Sequence, residues 1–119
     1  MKKTVVLGAS LKPERASNRA VYRLQYAGHV VIALGFREGT IGQIPITTDW
    51  GKYEEVDTLT LYLNPKRQAA YYDYILEMNP KRIIFNPGTE NPELVQKAKA
   101  KGIEAEIACT LVLLSVDAY

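Results

Sequence analysis

Three consecutive apolar residues, Val5, Val6 and Leu7, run directly into Gly8 within the segment Thr4 to Ser10. A short apolar run with two β-branched members fits a strand buried on both faces, as parallel strands are. The glycine marks where the backbone turns sharply or approaches a ligand. Next come the loop Leu11 to Ala16, carrying Lys12, Glu14 and Arg15, and then Ser17 and Asn18 as candidate N-caps. The helix they open passes through Val21, Leu24 and Ala27 to Gly28. Strand, small-residue turn and helix N-terminus together form an anion site, because unpaired amides and the positive end of the helix dipole both favour phosphate. The expectation is a nucleotide-binding α/β domain with a phosphorylated ligand at this turn.

At 119 residues the chain has the size of one domain, residues 1–119, and can bury a core without disulfides or metals. A formal net charge of +2 gives no bulk attraction to nucleic acid, and 47% hydrophobic residues are ordinary for a soluble globular protein. One cysteine excludes an internal disulfide framework and fits a reducing compartment. Met1-Lys2-Lys3-Thr4 resembles a signal n-region only superficially, since the apolar run ends at Leu7 and Gly8. No segment is long enough to span a bilayer, so no membrane partner and a cytoplasmic location are expected.

Gly28 suits a left-handed helix end, and His29 to Leu34 is a second β-branched strand, so the first β-α-β unit should be a right-handed crossover. Gly35, Phe36 and Arg37 follow at the end where ligands bind. Glu38 to Thr48 reads as a loop with a short extended piece around Ile44 to Ile46, and Asp49 to Glu55 as room for a helical turn. Thr58 to Leu63 alternates Thr with large apolar residues and forms the third strand. Asn64-Pro65 opens a helix to about Met78, with Tyr72, Ile75 and Leu76 as its buried stripe, and Asn79-Pro80 ends it. Arg82 to Phe85 is the fourth strand, and Asn86 to Glu90 the loop at its carboxyl end. Asn91-Pro92-Glu93 opens a helix closed by Lys97, Lys99, Lys101 and Gly102, and Ile103 to Ala108 is a fifth strand. Cys109 to Val116 closes the chain as helix or strand.

Alternating strands and helices imply a three-layer, Rossmann-like, doubly wound parallel sheet, with five strands in the order 3-2-1-4-5. Ligands then bind at the switch point beside strand one, where the loops Gly8 to Asn18, Gly35 to Arg37, Leu63 to Pro65 and Asn86 to Glu90 converge. The dinucleotide fingerprint is absent: the first turn holds only Gly8, and the second strand ends in Gly35-Phe36-Arg37 where an acidic residue would hold a ribose hydroxyl. A cation there suits a phosphorylated ribose. Lys12, Arg15 and Arg19 add charge around the turn, and guanidinium groups favour forked contacts to phosphate. NADP and the 3′-phospho-ADP end of coenzyme A both meet this description.

Val5-Val6-Leu7-Gly8-Ala9-Ser10, Ala27-Gly28-His29-Val30-Val31, Asp57 to Leu63, Asn86-Pro87-Gly88-Thr89-Glu90-Asn91 and Cys109 to Leu113 resemble, in that order, the small stand-alone CoA-binding proteins. That family is similar to the CoA-binding domain of succinyl-CoA synthetase and related acyl-CoA synthetases. The resemblance implies a Rossmann-like fold that binds CoA, with phosphates near the first turn and adenosine near strands one and two. It makes Gly8, Ala9 and Ser10 the pyrophosphate turn, Arg37 a phosphate contact, Asn64 and Pro65 part of the groove, and Gly88 the facing loop. Synthetases of that superfamily pass phosphate through a histidine on a separate domain. Here His29 is the one histidine, and it opens a strand at the edge away from the ligand-binding ends, so ligase activity by this chain alone is not expected.

Cofactor-binding candidates are therefore Gly8, Ala9, Ser10, Lys12, Arg15, Asn18, Arg19, Gly35, Arg37, Asn64, Pro65 and Gly88. Cys109 is either a buried small hydrophobe or, at the start of a last helix, a thiol able to exchange with that of CoA. No spacing of His, Cys or carboxylates suggests a metal, and no Ser-His-Asp set can assemble. Trp50 should anchor its loop to the core. The readings are a non-catalytic or accessory module for CoA or acyl-CoA, an NADP-binding or acyl-CoA-handling component whose partner enzyme chain supplies catalysis, and an interaction unit. Self-association stays open.

Overall fold

The computed structural model describes all of residues 1–119, and its frame is a seven-stranded sheet. β1 (Lys3–Ala9) lies inside it, parallel to β2 (Val30–Gly35) on one side and to β5 (Thr58–Leu61) on the other. Val5, Val6 and Leu7 are fully buried because both faces of β1 are covered, as the unbroken apolar run requires. The remaining strands are β3 (Gly39–Ile41), β4 (Ile44–Thr47), β6 (Arg82–Phe85) and β7 (Glu104–Ile107), giving the order β3-β4-β2-β1-β5-β6-β7. Every pairing is parallel except β3 with β4.

The fold class is α/β and Rossmann-like, but the expected five strands in the order 3-2-1-4-5 are corrected. Thr58 to Leu63 does not lie beyond the second strand; its Thr58–Leu61 portion pairs with β1 on the opposite side. All four residues of β5 are buried, so that strand belongs inside the sheet. The place beside β2 goes to β4, and the three-residue β3, antiparallel to it, forms the short edge of the sheet.

Two cores lie on the two faces of the sheet. On one, Val6, Ala33 and Ile46 pack under Ala20, Val21 and Leu24 of α1 (Ala16–Tyr26) and against Leu111 and Leu114 of α5 (Thr110–Ser115). On the other, Val5, Leu7, Leu59, Ile83 and Phe85 meet Ile75 of α3 (Tyr72–Met78) and Leu94 and Ala98 of α4 (Pro92–Ala100). The closing stretch is thus helical, with Cys109 as its cap residue.

Local chemistry sets the helix boundaries. Asn91 caps α4 by accepting from the Glu93 and Leu94 amides at 3.1 and 3.4 Å. Asn64 caps α2 (Pro65–Gln68) by accepting from the Arg67 amide at 2.9 Å. The helix expected to run unbroken to Met78 instead divides into α2, a tighter turn over Ala69–Tyr71, and α3. Ile75 reaches the core from α3, as expected, while Tyr72 is only partly buried against it. Ser17 and Asn18 do not cap α1. Both are buried inside its first turn, and Arg15 takes the cap position without a side-chain bond. Asp49 to Glu55 forms no helical turn.

Candidate functional site

The carboxyl ends of β1, β2, β5 and β6 open into one cleft of about 660 Å³. Its floor is set by two glycines. Gly8 has φ +102°, and a β-carbon there would lie 3.1 Å from the Tyr62 carbonyl carbon and 3.2 Å from Leu63 Cδ2. At Gly35 a β-carbon would lie 2.5 Å from the Ala9 carbonyl oxygen. The two strand ends therefore meet backbone to backbone, leaving room above them.

Asn18 fastens the turn from below, donating through Nδ2 to the Ser10 carbonyl at 2.8 Å. The Lys12 amide donates to Ser10 Oγ at 3.2 Å, and the Arg15 amide to the Lys12 carbonyl at 3.0 Å. The amides of Ser10, Leu11, Ala16 and Ser17 have no acceptor within the protein. Four donors thus converge where the helix dipole is positive, an arrangement that attracts an anion.

Side-chain charge adds to this. Lys12, Arg15, Arg37 and Arg67 line the cleft, and no carboxylate does. None of the four is ion-paired: the protein's one salt bridge, Arg82 to Glu106 at 3.0 Å, lies at the amino-terminal end of β6. Across the cleft, Pro87, Gly88 and Thr89 form the facing wall. Glu90 Oε1 accepts the Gly88 amide at 2.8 Å, while Thr89 Oγ1 donates to the Asn86 carbonyl at 2.8 Å. The wall is further held by Gln68, whose Nε2 donates to the carbonyls of Leu63 and Thr89, both at 2.8 Å.

Of the residues expected from sequence, Gly8, Ala9, Ser10, Lys12, Arg15, Arg37, Asn64 and Gly88 line this cleft together. Asn18 and Gly35 lie beneath it as supports. Arg19 does not reach it; its guanidinium donates to the Glu14 carbonyl at 3.0 Å on the exposed side of α1. Pro65, which begins α2, lies outside the lining, and so does Cys109, partly buried at the cap of the six-residue α5. Sequence reasoning missed Arg67, Tyr62 and Phe36 as lining residues. Arg67 was signalled by its place in the first turn of the Asn64-Pro65 helix, and Phe36 by standing between Gly35 and Arg37.

Tyr62 borders the cleft, but its side chain packs against the α1 core and its hydroxyl is buried, without a hydrogen-bond partner. Burial pushes it up to about 12, so it stays protonated across the physiological range. Nearby, Thr60 Oγ1 and Thr110 Oγ1 lie 2.8 Å apart, Asn86 Nδ2 donates to Thr60 Oγ1 at 2.7 Å, and the Thr110 amide donates to Asn86 Oδ1 at 2.9 Å. This buried set joins α5 to the floor of the site. His29 sits at the other end of the sheet, where its Nδ1 accepts the Lys2 amide at 2.9 Å, a structural role.

Comparison with known proteins gives a family and similar solved structures. The family model described as CoA binding domain matches residues 2–115. A crystal structure of an uncharacterized protein is 45% identical, with a TM-score of 0.97 over 100% of this chain and 98% of that one. A hypothetical protein from Pyrococcus horikoshii OT3 is 26% identical, with a TM-score of 0.80 over 93% of this chain and 80% of that one. A Thermus thermophilus protein at 20% identity and TM-score 0.83, covering 99% of this chain and 91% of that one, shares the fold. A search of curated proteins found no match.

Proposed function

We propose that this chain, which belongs to the CoA binding domain family, binds coenzyme A or an acyl-CoA through the turn from β1 to α1, as a non-catalytic or accessory module. The observation that carries the reading is the convergence of four unpaired amides and four unpaired cations in one cleft free of lining carboxylates. CoA carries a pyrophosphate and a ribose 3′-phosphate, and these donors suit both. The Ser10, Leu11, Ala16 and Ser17 amides would hold the pyrophosphate, and Arg37, at the end of β2, the 3′-phosphate. Asn64 and Gly88 would border the groove for the rest of the ligand.

The polar lining favours binding over chemistry. It offers Ser10, Ser17, Asn64 and Thr89 besides the cations, and no imidazole, thiol or carboxylate positioned to move a proton near neutral pH. Arg37 at the end of β2 also suits the 2′-phosphate of NADP, which keeps a component of an NADP- or acyl-CoA-handling enzyme as the second reading.

The test is Arg37→Ala, titrated calorimetrically with CoA and dephospho-CoA. A charge-assisted contact from an exposed arginine predicts roughly a tenfold loss for CoA and little change for dephospho-CoA. Equal losses for both ligands would remove the 3′-phosphate role from Arg37.

A further inference from the structure

The mouth of the cleft carries an aromatic group that phosphate binding does not explain. Phe36 is 42% exposed, although its ring belongs to a packed cluster. Its centroid lies 5.4 Å from that of Trp50 and 6.1 Å from that of Tyr71. Trp50 and Tyr71 are 4.9 Å apart, and Tyr74 is 5.6 Å from Trp50. Hydrogen bonds lock this shelf: Trp50 Nε1 donates to the Gly35 carbonyl at 3.1 Å, and the Tyr74 hydroxyl to the Gly51 carbonyl at 2.7 Å. Phe36 is therefore held from behind while part of its ring faces the cleft.

What covers that ring is Arg67, whose guanidinium carbon lies 4.3 Å from the Phe36 centroid. The Arg67 side chain makes no hydrogen bond or ion pair; only its backbone amide is engaged, by Asn64. A flat cation thus rests on the ring in a cation-π contact, with no hydrogen bond or ion pair to fix it there. A purine is also flat and π-rich, stacks on aromatic rings, and accepts a guanidinium on its other face.

We infer that Phe36 and Arg67 form a nucleobase clamp, in which the adenine ring of the ligand displaces Arg67 from Phe36 and is then covered by it. This rests on the CoA reading above and adds two specificity residues to it. Phe36 and Arg37 are adjacent, so the base and the ribose phosphate would be read by consecutive side chains at the end of β2. The chain's single tryptophan, against Phe36, is a built-in reporter of the base.

The experiment pairs calorimetry with Trp50 emission, using CoA and dephospho-CoA on the unmodified chain, Phe36→Leu and Phe36→Trp. Both ligands carry adenine, so Phe36→Leu should weaken both by the same factor, roughly tenfold, and Phe36→Trp should restore binding to both. Saturating CoA should change Trp50 emission in the unmodified chain and much less in Phe36→Leu. Unchanged affinity in Phe36→Leu, or emission unmoved by saturating CoA, would overturn the clamp and leave CoA binding standing. A loss confined to CoA would also overturn it, because Phe36 would then act only by placing Arg37. Failure of the unmodified chain to bind CoA in the calorimeter would instead remove the functional reading itself, and the clamp with it.

Discussion

Gly8 and Gly88 face each other across the cleft, both at positive φ, +102° and +92°, but in different surroundings. Around Gly88 nothing lies within 4 Å of a β-carbon, whereas at Gly8 it would meet Tyr62 and Leu63 at 3.1 to 3.2 Å. Alanine at either site incurs a left-handed backbone penalty of about 1–2 kcal/mol, partly offset by about 0.4–1 kcal/mol from a less flexible unfolded chain. Gly88→Ala should therefore destabilise by about 0.5–1 kcal/mol. Gly8→Ala adds overpacking against the backbone of the segment leaving β5, about 1–3 kcal/mol more, for a total of about 1.5–4 kcal/mol. In urea, with m of about 1–3 kcal/mol/M, the Gly8 variant should lose on the order of 1 M in midpoint and the Gly88 variant a few tenths. If the two variants lost equal stability, crowding at the floor would not be the reason for glycine at position 8.

Three further outcomes follow from particular contacts. Asn91 caps α4 and its Nδ2 donates at 2.9 Å to Oε1 of the fully buried Gln68, so Asn91→Ala should cost about 2–4 kcal/mol in urea unfolding, well above a lost cap alone. His29 is held below its ordinary 6.5, by burial first and then by the positive charges of the chain's amino terminus, Lys2 and Arg82, with Asp57 opposing. The native state then binds a proton less readily than the unfolded chain, so stability should fall as pH drops below 6.5 and level off below the native value; His29→Asn, which keeps an acceptor for the Lys2 amide, should lose this part of the pH dependence in urea midpoints. Thr110→Val removes one of the two partners of Thr60 Oγ1 and should loosen α5, seen as faster amide hydrogen exchange over Thr110–Ser115, with protection of β1 unchanged.

The central strands and α4 were legible because their signals are local. Val5 to Leu7 is apolar without interruption, and Asn91-Pro92 with Lys97 and Lys99 marks both ends of one helix. Strand order was not legible, because Thr58 to Leu61 has the same pattern wherever it pairs; burial on both faces decides its place, and that depends on the rest of the sheet. Ser17 and Asn18 misled for a related reason. Their side chains can cap a helix, but Asn18 serves the Ser10 carbonyl one turn below. The turn of the cleft could be read from Gly8 to Arg15 because it is contiguous in sequence. Arg67 and Phe36 each stand beside a marked position, but their pairing could not be read, since it depends on the fold bringing α2 to the end of β2.

The most direct test of the account is calorimetric titration of the purified, reduced protein with CoA, dephospho-CoA, NADP and NAD at one salt concentration. The account predicts saturable binding of CoA, clearly weaker binding of dephospho-CoA, and weaker binding still of both dinucleotides. Tighter binding of NADP than of CoA, or no binding by any of the four, would contradict it.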